Sequence, residues 1–137
     1  MTKPFRIVID TNLWVSFLLS KKFDFIDNLL NNNKVQLVFS HELLVELLEV
    51  TERPKLKKFF TAEDKKLIFN LIEHYADYII VLSQVDICRD EKDNFLLSLI
   101  KDAAADFLIT GDKDLLVIKS FEKTKILTIA EFQKFMS

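Results

Sequence analysis

The 137-residue chain has one glycine, two prolines, one cysteine and two histidines. So little glycine and proline leaves no flexible or proline-rich linker, and no internal repeat is present, so a single domain over residues 1–137 is expected. A lone Cys88 excludes an internal disulfide and suits a reducing compartment; the thiol reads as a half-buried apolar residue. His41 and His74 are far apart, which disfavours imidazole-based chemistry and suits a surface or helix-flank role for each. Nor is there an excess of one charge: 19 basic against 21 acidic residues give a net charge of −2, so a polyanionic substrate would need a local basic patch or metal ions. The apolar stretch from Ile7 to Leu19 is broken by Asp10 and Asn12 and precedes no small-residue cleavage site. Neither a membrane span nor a signal peptide is expected, and a cytoplasmic location is.

What the chain does have is apolar side chain, at 50% of residues, enough to bury a core without disulfides or structural metal. Short runs rich in β-branched and aromatic residues predict strands at Arg6–Ile9, Val35–Phe39, Tyr78–Leu82, Phe107–Thr110 and Lys125–Thr128. Helical spacing fills the intervals. The clearest helix runs from His41 to Thr51 behind Ser40 as N-cap, with Leu43, Leu44, Leu47, Leu48 and Val50 as its apolar stripe. Others are predicted at Ala62–Ala76 behind Thr61, at Asp93–Ala103, and at Asn12–Ser20, Phe23–Asn31, Asp112–Ile118 and Ile129–Met136. Arg53-Pro54-Lys55 is the nearest thing to a break. Alternation of this kind predicts an α/β three-layer sandwich, a parallel sheet covered by helices on both faces.

Ligands of such sheets bind beyond the carboxyl ends of the strands, so the residues that follow each strand matter most. Asp10 and Asn12 follow the first predicted strand. Thr110 closes the fourth, and Asp112 comes after it, across Gly111, the only glycine; glycine there permits positive φ or close backbone approach. Asp90 and Asp93 open a helix, and Glu46 lies on the polar face of another. Oxygen-only clusters suit phosphodiester hydrolysis, because hard divalent cations take carboxylate and phosphate oxygens and activate water. The same acids also suit helix caps, dipole partners and a solvated face, so spacing alone leaves both readings open.

Four stretches in order are more specific: Val8-Ile9-Asp10-Thr11-Asn12; Ser40 to Leu47, continuing into Arg53-Pro54-Lys55-Leu56; Arg89-Asp90-Glu91-Lys92-Asp93-Asn94; and Ala105-Asp106-Phe107-Leu108-Ile109-Thr110-Gly111-Asp112-Lys113-Asp114-Leu115-Leu116. Together they resemble the PIN-domain family, in particular its branch of toxin components of toxin–antitoxin pairs. The resemblance implies a Rossmann-like five-stranded parallel sheet and an endoribonuclease dependent on Mg²⁺ or Mn²⁺. It further implies Asp10, Glu46, Asp93 and Asp112 as catalytic metal ligands, Asp114 as a further ligand, and Asn12 and Thr110 in support. RNA as substrate, a cognate antitoxin and a homodimer are the partners it implies. Two departures are visible: Glu91 where many relatives have proline, and Ala104-Ala105 where a glycine is frequent.

Other residues are read more plainly. Asp106 precedes a strand and is expected to be a structural cap. Trp14 is expected in the core rather than stacked on a base, and most of the thirteen phenylalanines likewise. Arg53, Lys55, Lys57 and Lys58, with Lys65 and Lys66, form the densest basic stretch, equally suited to phosphate contacts and to a solvated run. A phosphatase of the haloacid dehalogenase type would want an acid where Asn12 stands, and a receiver domain would want paired acids after an early strand. A PIN fold that binds RNA or a partner without turnover is the alternative that keeps all the acids.

Overall fold

Strand β1, Phe5–Ile9, buries its last three residues completely, which marks a strand covered on both faces at the middle of a sheet. The computed structural model describes residues 3–20 and 24–137, and of Lys92 the backbone alone. After β1 come α1 (Thr11–Ser20), α2 (Asp24–Asn31), β2 (Val35–Phe39), α3 (His41–Thr51), α4 (Pro54–Lys57), α5 (Ala62–Tyr75) and β3 (Ala76–Tyr78). The chain continues through α6 (Glu91–Ala103), β4 (Phe107–Ile109), α7 (Lys113–Leu116), β5 (Ser120–Phe121), β6 (Thr124–Leu127) and α8 (Ile129–Met136). Phe23, where the second helix was expected to start, lies outside the described residues.

The strands order as β3-β2-β1-β4-β6-β5, with the first five parallel and β5 antiparallel to β6. This is the expected α/β sandwich, a mostly parallel sheet flanked by helices. The sixth strand is an addition, a two-residue edge that folds back on β6 through a turn and is too short to show a period in sequence.

Caps formed where side chains predicted them. Ser40 Oγ accepts from Leu43 N at 3.2 Å to start α3, and Thr61 and Asp64 form a reciprocal capping box at α5. Trp14 is fully buried, its ring edge-on to Phe17. The phenylalanines divide: Phe39, Phe60, Phe107 and Phe132 are buried, whereas Phe5, Phe59, Phe69 and Phe135 are exposed.

Three expectations are corrected. The third strand ends at Tyr78 rather than Leu82, because β2 stops at Phe39 and the last ladder bond is Ile79 N to Phe39 O. Beyond it, side chains of α6 take over: Asp102 Oδ2 accepts from Leu82 N and Ser83 N, and Ser98 Oγ accepts from Val85 N. The helix expected through Ala76 gives way there to β3 without a linker. The helix expected from Asp112 to Ile118 is one turn, with Asp112 outside it as the cap.

Candidate active site

Register brings β1 and β4 side by side, with Ile9 opposite Ile109, so Asp10 and Thr110 leave the sheet together. This is also where strand order reverses, β2 lying to one side of β1 and β4 to the other, and the chain opens a crevice at such a point. Asp10 N donates to Ile109 O at 2.9 Å. Thr110, fully buried, donates its hydroxyl to Asp10 Oδ2 at 2.7 Å and accepts from Asp112 N at 3.0 Å. One hydroxyl therefore orients one acid and fixes the backbone of the next.

Asp10, Asn12, Glu46, Asp93 and Asp112 all line one cleft of about 160 Å³, together with Arg53 and Asp90, above a wall of Val50 and Leu96. Each acid comes from a different element: the end of β1, the middle of α3, the first turn of α6 and the cap of α7. One carboxylate oxygen from each of Asp93, Asp112 and Asp114 lies within 4.8 Å of the others, although Asp114 is exposed and stands outside the cleft lining.

The electrostatics are those of acids crowded together. Burial, then repulsion from Asp112 and a side-chain hydrogen bond shared with it, then repulsion from Asp90 and Asp10, push the Asp93 carboxyl up to about 7 from its ordinary 3.8. Burial also raises Asp10, against the opposing hydrogen bonds from Thr110, Thr11 and Asn12. Asp93 Oδ2 is buried without a hydrogen-bond partner. A buried acceptor with no donor, among like charges, fits a cation: oxygen donors about 2.0–2.6 Å from a hard ion are themselves up to nearly 5 Å apart. Cys88, whose thiol is raised by burial and by Asp93 and Asp112, is held in its neutral form.

The family model of the PIN domain matches residues 6–114. The chain belongs to the PIN-domain family. PIN domains are commonly metal-dependent nucleases, and the acid cluster of this PIN domain can hold a metal ion. A search of the curated proteins finds no match. Among the described residues no helix is long and apolar enough to cross a membrane.

The basic stretch divides. Arg53 reaches the cleft, whereas Lys55, Lys57 and Lys58 do not line it. Lys57 approaches Glu52 at 3.9 Å, and the Lys58 ammonium lies 5.2 Å from the Phe59 ring centroid. Asp90, expected only to open a helix, also lines the cleft, and its spacing of one turn from Asp93 is the sequence signal for that place. Asn94, the last residue of the third motif stretch, has a structural place of its own. Its Oδ1 accepts from Ile87 N and Cys88 N, at 3.1 and 2.7 Å, tying the approach to α6 down beside the cleft.

Two further readings are resolved. Asp106 Oδ2 accepts from Arg6 N at 2.8 Å and its Oδ1 lies 3.2 Å from Lys123, a structural role as expected. Gly111 has no positive φ, and a Cβ built there would meet nothing within 4 Å, so neither reason offered for a glycine applies.

Proposed function

We propose that this PIN domain is a cytoplasmic endoribonuclease that hydrolyses RNA phosphodiester bonds at a divalent-cation site held by Asp10, Glu46, Asp93 and Asp112, with Asp114 as a further ligand at the rim. The observation that carries the reading is the convergence of Asp10, Glu46, Asp93 and Asp112 on one cleft, where Asp93 Oδ2 is buried without a hydrogen-bond partner, an arrangement that a bound cation would stabilise. Mg²⁺ or Mn²⁺, when bound, supplies a lowered pKa for a coordinated water and neutralises charge on the phosphoryl group.

The chain's own groups do the rest. Thr110 holds Asp10 in place at the cleft and favours its carboxylate form against the effect of burial, and the Asn12 amide, exposed at the cleft edge, can donate to a phosphate oxygen or a water. Glu46, mid-way along α3, adds a carboxylate from a helix to those at the strand ends. A role as the toxin of a toxin–antitoxin pair, with an antitoxin partner and a homodimeric state, draws on the order and spacing of the four motif stretches. A small reading frame beside the gene would support it, and an isolated gene would weaken it.

The test is cleavage of a mixed panel of structured and single-stranded RNAs in Mn²⁺, Mg²⁺ or EDTA, with Asp10→Asn in parallel. Cleavage that requires metal and vanishes in the variant establishes the nuclease. No cleavage of any RNA by folded, antitoxin-free protein transfers the assignment to a non-catalytic, RNA- or partner-binding role.

A further inference from the structure

The two edges of the sheet are unlike. At one of them β5 has two residues, Ser120–Phe121, with charged Lys119, Glu122 and Lys123 on either side, so little backbone is offered to another strand. At the other, β3 runs on past Tyr78, and residues 78–85 hold no charge, proline or glycine. No lysine or arginine occurs between Lys66 and Arg89. The side chains that natural proteins use to keep a strand edge from pairing are absent from this one.

The run alternates. Ile79, Val81, Ser83 and Val85 are half-buried, the three apolar ones packed against the core, whereas Tyr78, Ile80, Leu82 and Gln84 are exposed. Ile80 and Leu82 are 83% exposed. A two-residue period is that of extended backbone, and it sets one apolar row outside the core. Because Ile79 N donates to Phe39 O, the backbone polar groups of its neighbours Tyr78 and Ile80 point away from β2, toward the open edge. Among the described residues nothing bonds the amide or the carbonyl of Ile80.

RNA is a poor occupant of this edge, which offers phosphate no cation. A second copy fits it. A two-fold axis at Ile80 sets two such runs antiparallel, with Ile80 opposite Ile80 and Tyr78 opposite Leu82, so that apolar side chains meet and no like charges face one another. The register centres there because Leu82 N and Ser83 N are already held by Asp102. Tyr78, Ile80 and Leu82 expose on the order of 450 Å² per copy, more than half of the about 800 Å² that a standard interface takes from each partner, before the adjoining backbone is counted.

We infer that residues 78–85 are the homodimer interface of this protein, two copies joining their β3 edges antiparallel around Ile80 into one continuous sheet. The inference gives a surface to the homodimer proposed above, and it rests on the edge rather than on the chemistry of the cleft.

Sedimentation velocity of the full chain over about 1–100 μM tests it. The wild type is expected to be a dimer. Ile80→Lys is expected to raise the dissociation constant at least about 100-fold, because two-fold symmetry removes the side chain twice and sets two lysines against each other. Leu67→Lys, at an apolar residue 67% exposed on α5, is expected to leave it unchanged. Thermal melts of both variants check that they fold. In a Cys88→Ser background, Ile80→Cys is expected to link two copies by a disulfide on oxidation, since paired Cα atoms lie about 5.5 Å apart, whereas Gln84→Cys places its thiols roughly 25 Å apart and does not. A wild type that stays monomeric overturns both the interface and the homodimer. A dimer that survives Ile80→Lys, or that links through Gln84→Cys and not through Ile80→Cys, keeps the homodimer and overturns this edge.

Discussion

Thr110 Oγ1 donates to Asp10 Oδ2 over 2.7 Å, a bond between residues 100 apart in sequence that joins the ends of the two central strands. The same oxygen accepts from Asp112 N. Thr110→Val keeps the shape and removes both bonds in a fully buried place, at a cost of about 1–3 kcal/mol. Losing the donor also lets the Asp10 carboxyl rise further. Metal affinity, read by calorimetry, is expected to fall about 10- to 100-fold. Unaltered affinity in a destabilised variant would reduce Thr110 to a packing residue.

Asp93 gives the metal-free protein an unusual pH dependence. Its folded pKa, about 7, lies above the ordinary 3.8, so the folded state holds the proton more tightly than the unfolded chain. The resulting stability is fully present below about pH 4 and lost as pH rises through 7. In EDTA the wild type is therefore expected to melt lower at pH 8 than at pH 5 by several degrees more than Asp93→Asn does, and the variant to melt higher than wild type at pH 8. Mg²⁺ should raise the wild-type melting temperature at pH 8 and scarcely at pH 5, where protons compete for the ligand, and should not raise that of the variant. Parallel slopes for the two proteins in EDTA would show that Asp93 carries no such strain.

What could be read in advance depended on whether a residue's fate is decided locally. The strands that end in Asp10 and Thr110 are buried on both faces, so their apolar runs are unbroken and the polar residues after them stand out. Ser40 and Thr61 cap helices through atoms three residues away, a distance a sequence pattern can show. The end of β3 is different. Ile80 and Leu82 belong to a run as apolar as any strand, yet they are 83% exposed, since the neighbour that would pair them, β2, has already stopped. The separation of Arg53 from Lys55, Lys57 and Lys58 was also out of reach, because one turn of helix beginning at Pro54 turns these lysines away from the cleft.

Asp112 has two roles that one substitution separates. It caps α7, its Oδ1 accepting from Asp114 N at 2.8 Å, and it raises the neighbouring Asp93 carboxyl through its charge and a shared side-chain hydrogen bond. Asparagine caps nearly as well as aspartate but carries no charge, so Asp112→Asn is expected to retain the melting temperature in EDTA within a few degrees while abolishing metal-dependent cleavage. Asp112→Ala loses the cap as well and should cost roughly 1 kcal/mol more. Full activity in Asp112→Asn would remove this residue from the site.

Ala104, one of the residues that depart from the family pattern, carries backbone strain. It ends α6 at φ 50°, the left-handed region, where Ala104 N donates to Lys101 O and Ala105 N to Ile100 O, closing the helix as a glycine would. Alanine in that region is strained by about 1–2 kcal/mol relative to glycine, partly offset because glycine loses more entropy on folding. The side chain is exposed, so its removal leaves no cavity. Ala104→Gly is therefore expected to stabilise the protein by about 0.5–1 kcal/mol, measured by urea denaturation, with metal affinity unchanged because the turn lies at the opposite end of α6 from Asp93. The departure at Glu91 should behave differently. It occupies the first position of α6, where proline is preorganised and an acid complements the helix dipole, so Glu91→Pro exchanges one favourable residue for another and should shift the denaturation midpoint little. A loss of stability in Ala104→Gly would mean that the turn is held by its neighbours rather than strained at this residue.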